Sequence, residues 1–138
     1  MRTRTGGSLR AAVAAAVVLL VSSCARLGPD ETVAGEVAAQ FHRALSGGDG
    51  ATACSLLAPE TVSQLEQTAG TPCDQAVLDQ DLPDAQTVQN SQAFGRGAQV
   101  VMDGDVLFLA LFDGQWEITA AGCQPDGDRP YDCTLKGS

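Results

Sequence analysis

Two side chains in this sequence could do acid–base chemistry without a cofactor, and each occurs once. They are His42 and Tyr131, in a chain of 138 residues. An imidazole exchanges a proton near neutral pH, so His42 held beside an aspartate could act as a general base. The bland alternative is a histidine at the edge of a helix face, solvated or bonded to a nearby carboxylate. The chain contains neither a G-x-S-x-G nucleophile motif nor a glycine-rich phosphate loop.

The cysteines are the second group of reactive side chains. The chain has five, and Cys24 is treated below with the N-terminus. The other four, Cys54, Cys73, Cys123 and Cys133, are an even number that is typical of a disulfide-bonded exported domain. Four cysteines allow three pairings, and short loops favour Cys54–Cys73 together with Cys123–Cys133. None of them has C-x-x-C spacing, so a zinc site built from them with His42 is the weaker alternative, and no metal is expected.

The N-terminus has the layout of an export signal. Three arginines stand before an uninterrupted apolar run of eleven residues, Ala11 to Val21. That run is too short to cross a hydrocarbon core, which needs about 20 residues. It is therefore interpreted as the apolar region of a signal peptide.

The residues that follow this run, Ser22-Ser23-Cys24 after Val21, resemble the lipobox of bacterial lipoproteins. In that family the cysteine thiol receives a diacylglycerol and a peptidase cuts just before it. The resemblance implies a signal peptide over 1–23, lipidation at Cys24 and a tether over 24–30. The expected location is the extracytoplasmic face of the cell membrane. Plain secretion, with Cys24 incidental, is the alternative.

The charge of the expected mature chain limits its partners. Residues 24–138 contain five basic and seventeen acidic residues, a formal net charge of −12. Such a chain is repelled by nucleic acid and by anionic lipid headgroups. Membrane attachment is therefore expected to come from acyl chains, and nucleic acid is not an expected partner.

The first half of the mature chain has the residue pattern of helices. Val33, Val37, Phe41 and Leu45 recur every four residues between a capping Asp30 or Thr32 and the stop at Gly47-Gly48. Shorter helices are predicted over 50–57, from Pro59 to the break at Gly70, and over 73–78.

The second half has strand texture. A weak strand candidate lies at 87–91 and a better one at 98–102. Seven consecutive apolar residues follow, Val106 to Phe112, and are predicted to form the central strand. Asp113-Gly114 predicts a tight hairpin into an alternating strand over 115–120. The central strand is apolar on both faces. Either helices cover one face while loops or the C-terminal tail cover the other, or one face is a dimer interface or a ligand pocket. The tail from Gly122 is expected to form a loop closed by Cys123–Cys133, with Tyr131 as a packing anchor.

Six short motifs are spread over the whole expected mature domain, in which helices are followed by an antiparallel meander. They are Phe41 to Leu45 with Gly48-Asp49, Ala53 to Pro59, Pro72-Cys73, Gly95 to Val101, Ala120 to Cys123 and Pro130 to Cys133. In these features the chain resembles the NTF2-like (cystatin-like α+β) superfamily, and more narrowly the small NTF2-like secreted lipoproteins of Actinobacteria. The resemblance implies one α+β domain over 31–138, with N-terminal helices packed on a curved sheet that forms a cone.

These observations favour a non-catalytic cell-envelope module that binds a protein partner or an apolar small molecule and needs no cofactor. Its expected pocket is lined by Phe41, Phe94, Phe108 and Trp116, and a homodimer through the sheet is a further possibility. The first alternative is an enzyme of the cone fold that uses His42 and an aspartate as its acid–base pair. The second is a purely structural accessory lipoprotein.

Overall fold

The computed structural model describes residues 30–137. The expected signal peptide, the lipidation site Cys24 and the tether up to residue 29 lie outside the described residues. What is described is an α+β fold in which helices precede a five-stranded antiparallel sheet.

Helix α1, Glu31–Ser46, begins and ends where its capping residues predict. The Asp30 carboxylate accepts a hydrogen bond from the Thr32 amide at 2.9 Å, which satisfies one of the free donors of the first turn. Ala34, Ala38 and Phe41 are fully buried against the sheet. Val33, which the four-residue spacing assigned to the apolar stripe, is 42% exposed instead.

Three short helices follow: α2, Gly50–Ser55; α3, Pro59–Ala69; and α4, Cys73–Ala76. A disulfide joins Cys54 on α2 to Cys73 on α4, as predicted. Helices of this length have little stability in isolation. The bridge holds α2 to α4, α2 also packs on α1, and α3 packs on α4 and on the last two strands of the sheet. Among residues 30–137 no helix is both long and apolar enough to cross a membrane.

Removal of the Cys54–Cys73 bridge is expected to lower the free energy of unfolding by about 3 kcal/mol, because the bridge closes a loop of 19 residues in the unfolded chain. Urea denaturation of the Cys54→Ala/Cys73→Ala variant measures this. A variant as stable as the native chain would contradict the expectation, and the Cys123–Cys133 bridge left in place serves as the internal control.

The sheet is a meander in the order β1-β2-β3-β4-β5 with every neighbouring pair antiparallel. Its strands are β1, Val88–Phe94; β2, Gly97–Met102; β3, Val106–Phe112; β4, Gln115–Asp126; and β5, Arg129–Lys136. One face packs on the helices. The buried strand residues that form the core with them are Ala98, Val100, Met102, Leu107, Leu109, Trp116, Ile118, Ala121 and Leu135.

The opposite face of the central strand β3 is covered in part by the C-terminal hairpin. The rings of Phe108 and Tyr131 meet edge to face with centroids 5.1 Å apart, and the Gln99 side chain donates to the Tyr131 hydroxyl at 3.1 Å. The C-terminal segment therefore contributes to the cover of this face, although Phe112 on the same face is 39% exposed.

The C-terminal segment is not the loop that its composition predicts. It forms the end of β4 and all of β5, with Cys123 and Cys133 directly opposite each other and disulfide-bonded. Pro, Gly and Asp disfavour strands, but propensity is weak beside a backbone ladder that a covalent cross-link holds in register.

Candidate functional site

The turn between β2 and β3, Asp103-Gly104-Asp105, places one carboxylate outside the core and one inside it. The Asp103 side chain accepts the amides of Gln86 and Thr87 at 2.7 and 3.0 Å, which fixes the segment before β1. The Asp105 side chain points inward, and its exposed fraction is 0%. Asp103 therefore fixes a surface segment, whereas Asp105, two positions later, is a buried polar group of the core.

Gly104 makes this turn possible. A Cβ atom at position 104 would lie 2.5 Å from the backbone oxygen of Asp84, which is far too close. Only glycine allows the two backbones to approach in this way.

Asp105 receives three hydrogen bonds inside the protein. The amides of Gly122 and Cys123 donate to it at 3.1 and 3.2 Å, and its Oδ2 lies 2.9 Å from Nε2 of His42. Gly122 has φ +66°, a left-handed conformation, and a Cβ atom there would lie 2.8 Å from Leu82. This backbone conformation directs two successive amides at one carboxylate, an arrangement suited to holding an anion.

His42 lies on the buried side of α1 and is 2% exposed. Its ring meets the Phe41 ring edge to face at a centroid distance of 5.5 Å. A carboxylate on Nε2 fixes the orientation of the ring, as an orienting acid does in many histidine sites. Of the two surroundings considered for His42, solvent or a nearby carboxylate, the structure shows the second: the residue is buried and hydrogen-bonded to Asp105.

A cavity of about 220 Å³ opens beside this pair. We call it the His42 cavity. It is lined by His42, Leu45, Ser46, Val77, Leu78, Gln80, Leu82, Pro83 and Asp84. Its wall combines five apolar side chains with four polar ones, and among the polar ones the imidazole of His42 is buried.

Ser46 is the hydroxyl nearest to His42 along the helix, but it does not complete a nucleophilic triad. Its Oγ donates to the backbone oxygen of His42 at 2.9 Å, one turn back along α1. Nucleophilic catalysis by serine requires a hydrogen bond from the hydroxyl to the base. The described geometry is that of an oriented histidine beside a cavity.

The four aromatic residues predicted to line a pocket lie in different surroundings. Phe41 is fully buried in the core, and Trp116 is 6% exposed with its indole N–H donating to the Asp30 oxygen. Phe108 lies on the sheet face opposite the helices, and Phe94 is 65% exposed. A second cavity, of about 420 Å³, lies between α1 and β1 and is lined by Glu31, Thr32, Gly35, Glu36, Ala39 and residues 88–91. Neither this cavity nor the His42 cavity includes any of the four.

The pKa values of Asp103 and Asp49 bear on stability in acid. Hydrogen bonds from the Thr87 and Gln86 amides lower the pKa of Asp103 below its ordinary value of 3.8, and the positive charge of His42 has a smaller effect in the same direction. Hydrogen bonds from the Thr52 hydroxyl and amide lower the pKa of Asp49, the N-cap of α2.

A carboxylate whose pKa is lower in the folded state than in the unfolded state stabilises the fold above about pH 4, and this contribution is lost as the pH falls through the folded-state pKa. We therefore expect the free energy of unfolding to drop between pH 5 and pH 3, by a modest amount since both carboxylates are solvated. The Asp103→Asn variant should show a shallower drop in urea titrations at the two pH values. An unchanged slope would contradict this.

Within residues 30–137 no three His, Cys, Asp or Glu side chains converge in a way that could hold a metal ion. Comparison with protein-family models, curated proteins and solved structures gives no match. The site is therefore interpreted from its own geometry.

Asp105 is the site residue that the sequence did not reveal. Aspartate side chains at turns are usually exposed, yet the structure buries this one. The sequence offers no local signal for this, because the partners His42 and Gly122 are 63 and 17 residues away.

Proposed function

We propose that this chain is an extracytoplasmic, lipid-anchored binding module that takes a small, partly apolar molecule with a hydrogen-bonding group into the His42 cavity. The observation that carries the proposal is a buried, carboxylate-oriented imidazole in a cavity wall that also contains five apolar side chains. Ligand sites combine such apolar walls with a few fixed polar groups.

The size of the His42 cavity sets the size of the molecule. An apolar cavity of about 150 Å³ holds benzene. The volume of about 220 Å³ therefore suits a single ring with one or two substituents. Larger metabolites would have to displace the wall at Leu78, which is 41% exposed.

The extracytoplasmic location and the anchor rest on separate observations. Two disulfides are present in the described residues, and such bonds persist mainly in oxidising compartments. The lipobox-like residues before Cys24 support lipidation at that thiol. The order of helices and meander supports an NTF2-like cone as the finer description of the fold.

An NMR titration with phenol tests the binding proposal, with benzene as the probe that lacks a hydroxyl. Phenol is expected to shift the His42 ring signals and the amides of Val77 and Leu78, and benzene is expected to bind more weakly. The Leu78→Trp variant should block the cavity. Val33→Trp is the matched control, because Val33 is equally exposed at 42% but lies outside the cavity wall. The binding proposal would be contradicted if phenol caused equal chemical-shift changes in Leu78→Trp and Val33→Trp, or caused none in the native chain.

The hydrogen bond between His42 and Asp105 also supports a second candidate function, an enzyme that uses His42 as general base. An oriented imidazole can take a proton from water or from a substrate hydroxyl. The test is hydrolysis of 4-nitrophenyl acetate by the native chain and by His42→Gln, whose amide can still donate to Asp105. Hydrolysis above the buffer rate that disappears in His42→Gln would favour the enzyme, and equal rates would favour the binding module.

A further inference from the structure

Two exposed apolar side chains lie at one end of the sheet, and a third lies in the first turn of α1. Phe94 is 65% exposed, Val33 42% and Phe112 39%. Phe94 and Phe112 adjoin the two turns at this end, 95–96 and 113–114. We call Val33, Phe94 and Phe112, with these two turns, the tether end.

Phe94 and Phe112 point in the same direction. Phe94 pairs with Gly97, and Gly97 pairs with Ala110, two residues before Phe112. Directly paired residues share a face, and residues two apart along a strand do so as well. Both rings therefore stand on the face away from the helices, at the same edge of the domain.

The chain enters the domain at this end. The Trp116 indole N–H donates to the Asp30 oxygen at 3.1 Å, and Trp116 lies two residues beyond the 113–114 turn. The Ser91 hydroxyl donates to the Glu31 oxygen at 2.5 Å, three residues before Phe94. The first described residues are thereby fixed at the same end of the sheet, on its helix side, whereas Phe94 and Phe112 stand on the opposite face.

Cys24 is only six residues before Asp30. Even a fully extended chain spans at most about 3.6 Å per residue, so Asp30 lies within about 20 Å of the Cys24 thiol position. A lipid on Cys24 would therefore keep the start of α1, and the apolar residues around it, next to the bilayer surface.

We infer that the tether end is a membrane-contact surface, on which Phe94, Phe112 and Val33 enter the interface of the phospholipid bilayer that holds the acyl chains of Cys24. This inference rests on the lipid anchor of the proposed function. Apolar side chains at the headgroup boundary add binding free energy to an acyl anchor, and aromatic residues are favoured there.

The charges at the tether end indicate that the contact is apolar. Arg96 is the basic residue of its turns, and the acidic residues nearby are Asp30, Glu31 and Asp113. The Arg96 guanidinium donates to the Leu111 oxygen at 2.6 Å, which holds the two turns together. With acidic charge in excess, the surface gains nothing from anionic headgroups, so it should engage zwitterionic vesicles at least as well.

This contact would also orient the His42 cavity. His42 lies eleven residues along α1 from Glu31, a rise of about 16 Å, and Asp105 belongs to the turn at the other end of β2 and β3. The cavity would then open away from the membrane, towards solutes of the extracytoplasmic space.

The experiment uses the full-length protein extracted from its own membranes and reconstituted into phosphatidylcholine vesicles with brominated acyl chains, which quench tryptophan on contact. Phe94→Trp is compared with Leu78→Trp, a similarly accessible position that lines the cavity, over the constant background of buried Trp116. The emission added by Phe94→Trp should be mostly quenched, because interfacial groups lie about 5–10 Å into the headgroup and acyl boundary. The emission added by Leu78→Trp should be unaffected.

Mass spectrometry of the same samples separates the two proposals. If Cys24 is acylated, unquenched Phe94→Trp, or equal quenching of both variants, overturns the contact surface and leaves the anchor standing. If Cys24 is not acylated, the anchor fails, and the protein is coupled through the Cys24 thiol to a maleimide phospholipid in the same vesicles. Quenching confined to Phe94→Trp then still supports the surface, and its absence overturns it.

Discussion

Replacing Asp105 with alanine is expected to lower the free energy of unfolding by about 3–5 kcal/mol, because each buried donor that loses its acceptor costs about 1–3 kcal/mol. The substitution leaves three donors without an acceptor, namely Nε2 of His42 and the amides of Gly122 and Cys123. None of them has access to bulk water, since His42 is 2% exposed and Cys123 is fully buried. Urea denaturation, followed by far-UV circular dichroism, measures the loss.

Two variants make this result interpretable. Asp128→Ala removes an exposed carboxylate from the turn between β4 and β5, and its effect should lie within about 0.5 kcal/mol of zero. Asp105→Asn keeps the shape and one acceptor oxygen, so it should cost less than alanine. If Asp105→Ala proved as mild as Asp128→Ala, the network around His42 would not contribute to stability, and the case for an oriented imidazole would weaken with it.

The second large effect is expected at Phe41. Its side chain is fully buried between α1 and the sheet, so Phe41→Ala should lower the free energy of unfolding by about 3–5 kcal/mol through lost burial and the cavity left behind. Loss of the Phe41 ring also removes the edge contact that supports the His42 ring. Thermal and urea unfolding of the purified variant give the value.

Phe94 provides the matched control, because it is the same residue type at 65% exposure. Phe94→Ala should change the free energy of unfolding by about 0.5 kcal/mol or less, since a surface substitution removes little buried area. Similar losses at both positions would mean that Phe94 is covered in solution. That outcome would also count against its availability for the bilayer.

The helices were predictable because their signals are local. Asp30, Gly47 and Gly70 bound α1 and α3 within one or two residues of the expected positions. Likewise, the apolar run Val106 to Phe112 and the turn at Asp113-Gly114 appear as β3 and its hairpin. Caps and turns act through neighbouring backbone groups, so a few residues contain all the information needed.

Strand β5 was not predictable from its residues. Its composition indicates a loop, and the ladder with β4 exists because a cross-link and a long partner strand outweigh local preference. The prediction that Val33 belongs to the apolar face of α1 was wrong for a related reason. Periodicity assigns residues to a helix face, but the element that packs on the helix decides how much of that face is buried. Here the sheet covers Ala34 and Ala38 and leaves Val33 outside.

By itself the sequence predicted the α+β class, the order of the elements up to β4 and the strong acidity of the chain, and it favoured the two disulfide pairings that the structure contains. These properties follow from composition, from patterns of two and four residues, and from short loops. Only the tertiary structure decided that Asp105 turns inward, that it meets His42 across 63 residues of chain, and that a cavity opens beside them. The physical reason is that burial of a charged side chain depends on the donors that other elements bring to it. No pattern of neighbouring residues records which donors those will be.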